Sequence, residues 1–395
     1  MSASLSGMPI IDVDTHYSEP PDLWTKRAPR KLLERAPRVV RTEAGVDQWL
    51  VDGKHVFGPL GFCVIRKDAS KKYGTLCLDT FDELHLGASQ ARARLAIMDD
   101  HGLSVQIVYP NILGFAGNAI MRLDDLELRN FCVSAYNDGI AELQREGEGR
   151  LFPQFLLPFW DIELSVRELV RCSEKLGLTG FVISDAPETW GLPTLSERYW
   201  DPLWAAAQER RLPVNFHIGG GGAGGVAIWG GASAASSASP GGNLNSGALI
   251  ATASVQAFMS NMRCVTNLIF SGLLDRFPSL DFVSVESGVG WLPFHLDLCE
   301  YQFDESGVTG LALRPKEYFR RQIYASYWFE HDPRYAIEQL GPDNIMFETD
   351  FPHPTCLYPG IQEHVRNTLG ALDASVQRKV LFETAQKVYH IALPA

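Results

Sequence analysis

The sequence Ile10-Ile11-Asp12-Val13-Asp14-Thr15-His16 carries the main signal for the fold that we predict for this chain. Two apolar residues lead into an alternation of acidic and histidine residues, the pattern of a buried strand with a polar end. Successive side chains of a strand point to opposite faces, so Asp12, Asp14 and His16 share one face and can converge on a metal ion. Three such residues also suit a helix cap or a turn, so the interpretation depends on partners further along the chain.

Three later apolar runs end in the same way, each with a polar residue close to glycine or proline. Their final polar residues are His217, Glu286 and Asp350. Short apolar runs bounded by glycine or proline are typical of buried parallel strands. In a barrel of alternating strands and helices, functional side chains come from the carboxyl ends of several strands. We therefore predict an α/β fold, a (β/α)8 TIM barrel, whose mouth carries these three residues with Asp14 and His16.

The remaining elements are predicted from apolar runs, helical spacing and turn residues. The predicted strands are 10–15, 105–109, 153–158, 180–184, one ending at 217, one ending at 286, 323–326 and one ending at 350. The predicted helices are 89–102, 162–176, 199–211, 247–270, 333–340 and 374–390.

Two segments interrupt this alternation. Residues 38–80 form an insertion after strand 1, in which 48–51 and 55–57 flank the turn Asp52-Gly53-Lys54 and so predict a hairpin. This small β-rich subdomain would either cover the barrel mouth or be a surface decoration. A long Gly/Ala/Ser loop, 219–246, follows strand 5, and it would be either a mobile lid or a disordered insertion.

Composition limits the class of protein. The chain has 395 residues, 46% of them hydrophobic, which favours a single catalytic domain over 1–395. A net charge of -12 without basic runs argues against nucleic-acid binding. No apolar stretch approaches the roughly eighteen residues that a membrane span needs, and residues 1–7 lack the features of a signal peptide. The seven scattered cysteines contain no C-x-x-C pair. We therefore expect a cytoplasmic protein without a membrane partner.

Taken together, the motifs resemble the amidohydrolase-related family of the amidohydrolase superfamily, which includes the aminocarboxymuconate-semialdehyde decarboxylase group. The resemblance extends from about residue 8 to residue 390. It is carried by D-x-D-x-H-x-x-E-P from Asp12 to Pro20, Asn215-Phe216-His217, Leu273 to Pro278 leading to Glu286-Ser287-Gly288, and Glu348 to Pro354.

The resemblance implies that Asp14 and His16 on strand 1, His217 on strand 5 and Asp350 on strand 8 bind a divalent metal. Two residues depart from the family pattern. Asp14 stands where members often have histidine, and Glu286 stands on strand 6 where decarboxylating or hydrolysing members commonly present histidine.

The departures bear on the choice of metal. A donor set rich in carboxylates favours Mn or Fe alongside Zn. A second ion is one alternative, bound by Glu286 with help from Asp12, Glu19 or His353. The other is that Glu286 forms an ion pair or transfers a proton, and in either case a buried carboxylate must have a partner.

The predicted function is that of a metal-dependent hydrolase or decarboxylase acting on a small organic acid or amide. The ion would activate water or hold a substrate oxygen, and Asp350 would act as base. Glu286 would be a second proton-transfer group, and His353 a further catalytic or substrate-binding group at the mouth. Two alternatives stay open: a dinuclear iron or manganese oxygenase on the same scaffold, and a non-catalytic partner subunit of a hetero-oligomer. From the resemblance we expect a homo-oligomer, dimeric or larger.

Overall fold

The protein is described from a computed structural model, which places residues 7–58, 62–221 and 246–394. Within these ranges, twelve strands form two sheets. In chain order they are β1 (Ile11–His16), β2 (Arg38–Arg41), β3 (Asp47–Val51), β4 (His55–Gly58), β5 (Val105–Tyr109), β6 (Leu151–Pro153), β7 (Phe155–Leu156), β8 (Phe181–Val182), β9 (Val214–His217), β10 (Phe282–Val285), β11 (Ile323–Tyr327) and β12 (Ile345–Phe347).

The large sheet has the order β6-β5-β1-β12-β11-β10-β9-β8-β7, and its strands pair in parallel. Only Gln154 separates β6 from β7. Its backbone N–H donates to the Val108 carbonyl at 2.8 Å, and the next residue, Phe155, donates to the Gly180 carbonyl at 3.1 Å. β6 and β7 are therefore one interrupted strand that joins β5 to β8 and closes an eight-stranded barrel. The predicted (β/α)8 fold is confirmed.

Helices alternate with the strands. They are α1 (Ala91–Asp100), α2 (Leu126–Glu146), α3 (Ile162–Val170), α4 (Asp201–Glu209), α5 (Ser246–Phe258), α6 (Asn261–Phe270), α7 (Leu273–Arg276), α8 (Leu292–Glu305), α9 (Pro315–Gln322), α10 (Arg334–Leu340), α11 (Ile361–Leu369), α12 (Ala374–Arg378) and α13 (Thr384–Tyr389). The sequence pattern did not predict α2, α7, α8, α9 or α11. In α2 the buried face includes Asn137 and Gly139, so its apolar spacing is weak. The helix predicted over 247–270 is two helices, α5 and α6.

The insertion after β1 contains the predicted hairpin. β3 and β4 pair in antiparallel fashion, and β2 adds a third strand on the other side of β3. Trp49 of β3 packs edge-on against Trp24, with ring centroids 5.2 Å apart. The chain that follows reaches the barrel mouth, because the Val64 N–H donates to the Pro352 carbonyl at 3.1 Å. The insertion therefore contributes to the wall of the mouth.

Most of the glycine-rich loop 219–246, predicted as either a lid or a disordered insertion, lies outside the described residues, which resume at 246. No helix in the described ranges is long and apolar enough to cross a membrane.

Candidate metal centre

The carboxyl ends of four barrel strands bring the predicted site residues together. Asp14 and His16 lie in β1, His217 is the last residue of β9, and Glu286 directly follows β10. Asp350 comes three residues after the end of β12. None of the five is more than 5% exposed. The barrel therefore buries all of them at one mouth, as the sequence predicted.

The two imidazoles lie at the middle of this cluster. His16 Nε2 and His217 Nε2 are 3.1 Å apart. Asp14 Oδ1 lies 3.5 Å from His16 Nε2, and Asp14 Oδ2 lies 3.7 Å from His217 Nε2. On the other sides, Asp350 Oδ1 is 3.5 Å from His16 Nε2, and Glu286 Oε2 is 3.3 Å from His217 Nε2.

Backbone carbonyls determine which ring nitrogen carries the proton. His16 Nδ1 faces the Pro110 carbonyl at 3.3 Å, and His217 Nδ1 faces the Ile218 carbonyl at 2.8 Å. A carbonyl oxygen only accepts, so each Nδ1 carries the hydrogen. Burial lowers the pKa of His217 to about 4, and it lowers the pKa of His16 well below its usual value. Both rings are therefore neutral, and their Nε2 lone pairs face each other.

The buried carboxylates of the site also favour a bound cation. Both oxygens of Asp14 and Oδ1 of Asp350 are buried and accept no hydrogen bond from the described residues. Burial, followed by repulsion from Asp350, raises the pKa of Asp14 and that of Glu286 well above their usual values. Donors about 2.1 Å from one ion lie about 3 to 3.4 Å apart, which resembles the spacing of the two Nε2 atoms. The donor set fits a divalent metal ion.

The donor atoms form two overlapping groups. All atoms within a group lie within 4.8 Å of one another. One group is Asp14, His16, His217 and Glu286, and the other is His16, Glu286, Asp350 and His353.

His353 joins the site from the loop after β12. Its Nε2 hydrogen bonds to Asn111 Oδ1 at 2.8 Å, and the ring stacks on His16 with centroids 3.5 Å apart and planes 15° apart. Its Nδ1 lies 3.0 Å from Asp350 Oδ1. The sequence also allowed a surface position for His353, but the residue is only 3% exposed.

Asp12, which the sequence offered as a further ligand, belongs to neither donor group. Its Oδ1 accepts the Thr349 N–H at 2.8 Å. Its Oδ2 accepts the Thr349 hydroxyl at 2.6 Å and Gln106 Nε2 at 3.1 Å. Burial nevertheless raises the pKa of Asp12 to about 7. Asp12 therefore ties β1 to the residues after β12 beneath the donors.

Glu19 is a second support. Its Oε1 accepts the backbone N–H groups of Asn111 at 2.9 Å and Ile112 at 3.1 Å. It therefore holds the loop that carries the partner of His353, and neither donor group contains it.

Further residues of the site were not assigned from sequence. Glu286 adopts a left-handed backbone conformation with φ 56°, and its N–H donates to Glu348 Oε2 at 3.2 Å. The Ser326 hydroxyl donates to the same oxygen. The Thr355 hydroxyl donates to Asp350 Oδ2. Glu348 lies inside a quoted motif, but only the fold shows its contact with Glu286.

Two phenylalanines cover the cluster. The ring of Phe115 lies 5.1 Å from His16, 4.5 Å from His217 and 5.6 Å from His353, measured between centroids. Phe62, from the insertion, lies 6.0 Å from Phe115 and 5.8 Å from His353. Both phenylalanines are half-buried, so they separate the donors from solvent.

Comparison with known proteins finds relatives in both sequence and structure. The chain is 24% identical over 275 residues to the gamma-resorcylate decarboxylase of Polaromonas sp. strain JS666, a match that covers 66% of this chain and 76% of that protein. An amidohydrolase structure from Mycobacterium avium subsp. paratuberculosis K-10 superposes with a TM-score of 0.70 at 19% identity, covering 97% and 99% of the two chains.

Two decarboxylase structures share the fold. The dihydroxybenzoic acid decarboxylase of Polaromonas sp. JS666, solved with bound manganese and 2-nitroresorcinol, has a TM-score of 0.60 at 18% identity and covers 97% of each chain. The 5-carboxyvanillate decarboxylase of Sphingomonas paucimobilis has a TM-score of 0.63 at 19% identity, covering 98% of this chain and 100% of that one. The amidohydrolase family model matches residues 11–391. The chain therefore belongs to the amidohydrolase family, as its sequence motifs implied, and the predicted enzyme class is confirmed.

Proposed function

We propose that this protein is a metal-dependent carboxy-lyase that decarboxylates a small hydroxylated aromatic acid. The main support for the proposal is the buried cluster in which the Nε2 lone pairs of His16 and His217 face each other. Beside them lie carboxylate oxygens of Asp14 and Asp350 that accept no hydrogen bond from the described residues. Such a set stabilises a divalent cation, and similar proteins named as decarboxylases supply the reaction class. The aromatic cover suits a flat substrate.

The ligands that we propose are Asp14, His16, His217 and Asp350. When bound, a divalent ion such as Mn supplies positive charge that holds and polarises a substrate oxygen. The chain's own contribution is orientation. The carbonyls facing His16 and His217 keep both Nε2 lone pairs pointed into the centre, and the Thr355 hydroxyl fixes one oxygen of Asp350.

Decarboxylation also requires a proton. The bond between the ring carbon and the carboxylate breaks, carbon dioxide leaves, and the carbon takes up one proton in its place. We assign the transfer of this proton to Glu286, which lies beside His217 and whose backbone is held by Glu348. Its left-handed φ is a rare conformation for a residue with a side chain, and such conformations cluster at functional sites.

Hydrolysis of a small amide is the second candidate. It is favoured by Asp350, whose Oδ1 accepts no hydrogen bond from the described residues and lies beside the imidazoles of His16 and His353, where a base could take a proton from water. Decarboxylation and amide hydrolysis give different products, so product analysis of the metal-bound protein distinguishes them.

The test combines product analysis with metal content. Protein reconstituted with Mn is incubated with 2,6-dihydroxybenzoate, 5-carboxyvanillate and related acids, and with matched amides. We expect carbon dioxide release and, in D2O, deuterium on the carbon that lost it. Glu286→Gln should retain the metal and lose turnover, whereas the exposed control Glu363→Gln should keep both. Asp14→Ala and His217→Ala should each lose the metal.

Several results would contradict the proposal. Metal-loaded protein that releases no carbon dioxide from any acid, yet hydrolyses an amide, would favour hydrolysis. Purified protein containing about two ions per chain, iron among them, with oxygen-dependent turnover would favour the oxygenase. If Asp14→Ala and His217→Ala both kept the wild-type metal content, these residues would not be metal ligands, and neither metal-dependent reaction would have support.

A further inference from the structure

Arg94 is a buried charged residue that none of the roles above uses. It lies on α1 and is only 1% exposed. Its guanidinium makes four hydrogen bonds, all to uncharged oxygen atoms. Nε donates to Gln106 Oε1 at 2.9 Å, Nη1 donates to the carbonyls of His16 at 2.7 Å and Gly87 at 3.2 Å, and Nη2 donates to the Phe351 carbonyl at 3.3 Å.

Two of these acceptors belong to segments that carry donors of the metal centre. His16 is itself a donor, and Phe351 directly follows Asp350. The guanidinium also lies over the Phe351 ring, 4.9 Å from its centroid. A guanidinium is planar and its N–H groups point in fixed directions, so one Arg94 side chain holds both carbonyls at a set separation. The distance between the β1 end and the loop after β12 therefore depends on this residue.

A second connection between the same segments runs through Gln106. Its Oε1 accepts from Arg94, and its Nε2 donates to Asp12 Oδ2 at 3.1 Å. Asp12 in turn accepts two hydrogen bonds from Thr349, next to Asp350. The side-chain amide of Gln106 thus links the guanidinium of Arg94 to the carboxylate of Asp12. Together the three side chains hold β1 against the residues that follow β12.

We propose that Arg94 is a positioning residue of the metal centre: it sets the separation of His16 from Asp350 so that their donor atoms meet at one ion. The inference rests on the proposed metal-dependent function. Lysine cannot replace arginine here, because a single ammonium cannot reach Gln106 and both carbonyls together. Partners that orient metal ligands typically account for about 10- to 100-fold in metal affinity.

The test measures metal binding rather than turnover. The Kd for Mn2+ and the visible absorption spectrum of the Co2+ form are compared for wild type, Arg94→Lys and Arg92→Lys. Arg92 lies on the same helix but is exposed, so its variant is the matched control. We expect Arg94→Lys to weaken Mn2+ binding about 10- to 100-fold and to alter the Co2+ spectrum, while Arg92→Lys matches wild type.

A second variant keeps the test decisive if Arg94→Lys does not fold. Gln106→Met preserves the length of the side chain, leaves the arginine in place and removes its link to Asp12, so it should produce a weaker shift in the same direction. A folded Arg94→Lys with wild-type Mn2+ affinity and Co2+ spectrum would overturn the inference, as would an unaltered Gln106→Met if it alone folds. Wild-type protein that binds Mn2+ but decarboxylates no acid would refute the proposed function and leave this comparison intact.

Discussion

Replacing Phe115 by alanine should open the metal centre to solvent. The ring of Phe115 lies against all three imidazoles, with centroids 4.5 to 5.6 Å away. The donor side chains beneath it are at most 5% exposed. A chelator in solution can therefore reach a bound ion only when this cover moves, and the rate of metal extraction reports how often that happens.

The size of the effect follows from the three ring contacts. An aromatic pair contributes about 0.5 to 1.5 kcal/mol beyond the area that it buries. At about 0.7 kcal/mol for each pair, removal of the Phe115 ring weakens the closed cover by about 2 kcal/mol. Since about 1.4 kcal/mol corresponds to a tenfold change in an equilibrium, the open fraction should rise about 30-fold.

The assay mixes Mn-loaded protein with excess EDTA and follows manganese release. Phe115→Ala should release the metal about 30-fold faster than wild type, and Phe115→Leu should be intermediate. Phe294→Ala is the control, because that ring is 69% exposed on α8 and its removal should leave the rate unchanged. A folded Phe115→Ala protein whose release rate stays within about threefold of wild type would refute the view that this ring covers the centre.

Three further predictions concern the ligand shell and the scaffold. Thr355→Val removes the hydroxyl that orients Asp350 and should weaken Mn2+ binding by about tenfold, whereas Thr355→Ser should restore it; equal Kd values for all three proteins would contradict this role. Removal of metal should lower the urea midpoint of unfolding, and Mn2+ at about 100 times its Kd should return about 2.7 kcal/mol. Burial raises the pKa of Asp281 from 3.8 to about 6, so the folded wild type loses stability as the pH rises through this range. In urea titrations, Asp281→Asn should be more stable than wild type at pH 7, by at most about 3 kcal/mol, and this advantage should fall below about 1 kcal/mol near pH 4.

The parts of the site that the sequence predicted are those that depend only on neighbouring residues in the chain. An apolar run that ends in a polar residue is a property of a few neighbouring residues, so β5 and the carboxyl end of β9 at His217 match their predictions. The supporting residues depend on distant parts of the chain. Arg94 meets carbonyls 78 residues before it and 257 residues after it, and Glu348 meets Glu286 across 62 residues. No spacing within a motif encodes these contacts, because the closed barrel creates them.

Asp12 shares a strand face with Asp14 and His16 but lies too far from the mouth to bind the same ion. Residues two apart in a strand do share a face, but each step along the strand adds about 3.3 Å, so Asp12 and His16 are about 13 Å apart along β1. Two donor atoms that each lie about 2.1 Å from one ion can be at most about 4.2 Å apart. Only Asp14 and His16, nearest the mouth, satisfy this limit, and Asp12 lies one layer deeper. A buried carboxylate at that depth needs its own donors, and Thr349 and Gln106 provide them. The first acid of the D-x-D-x-H run therefore stabilises the barrel beneath the centre, and removing the metal should leave its hydrogen bonds in place.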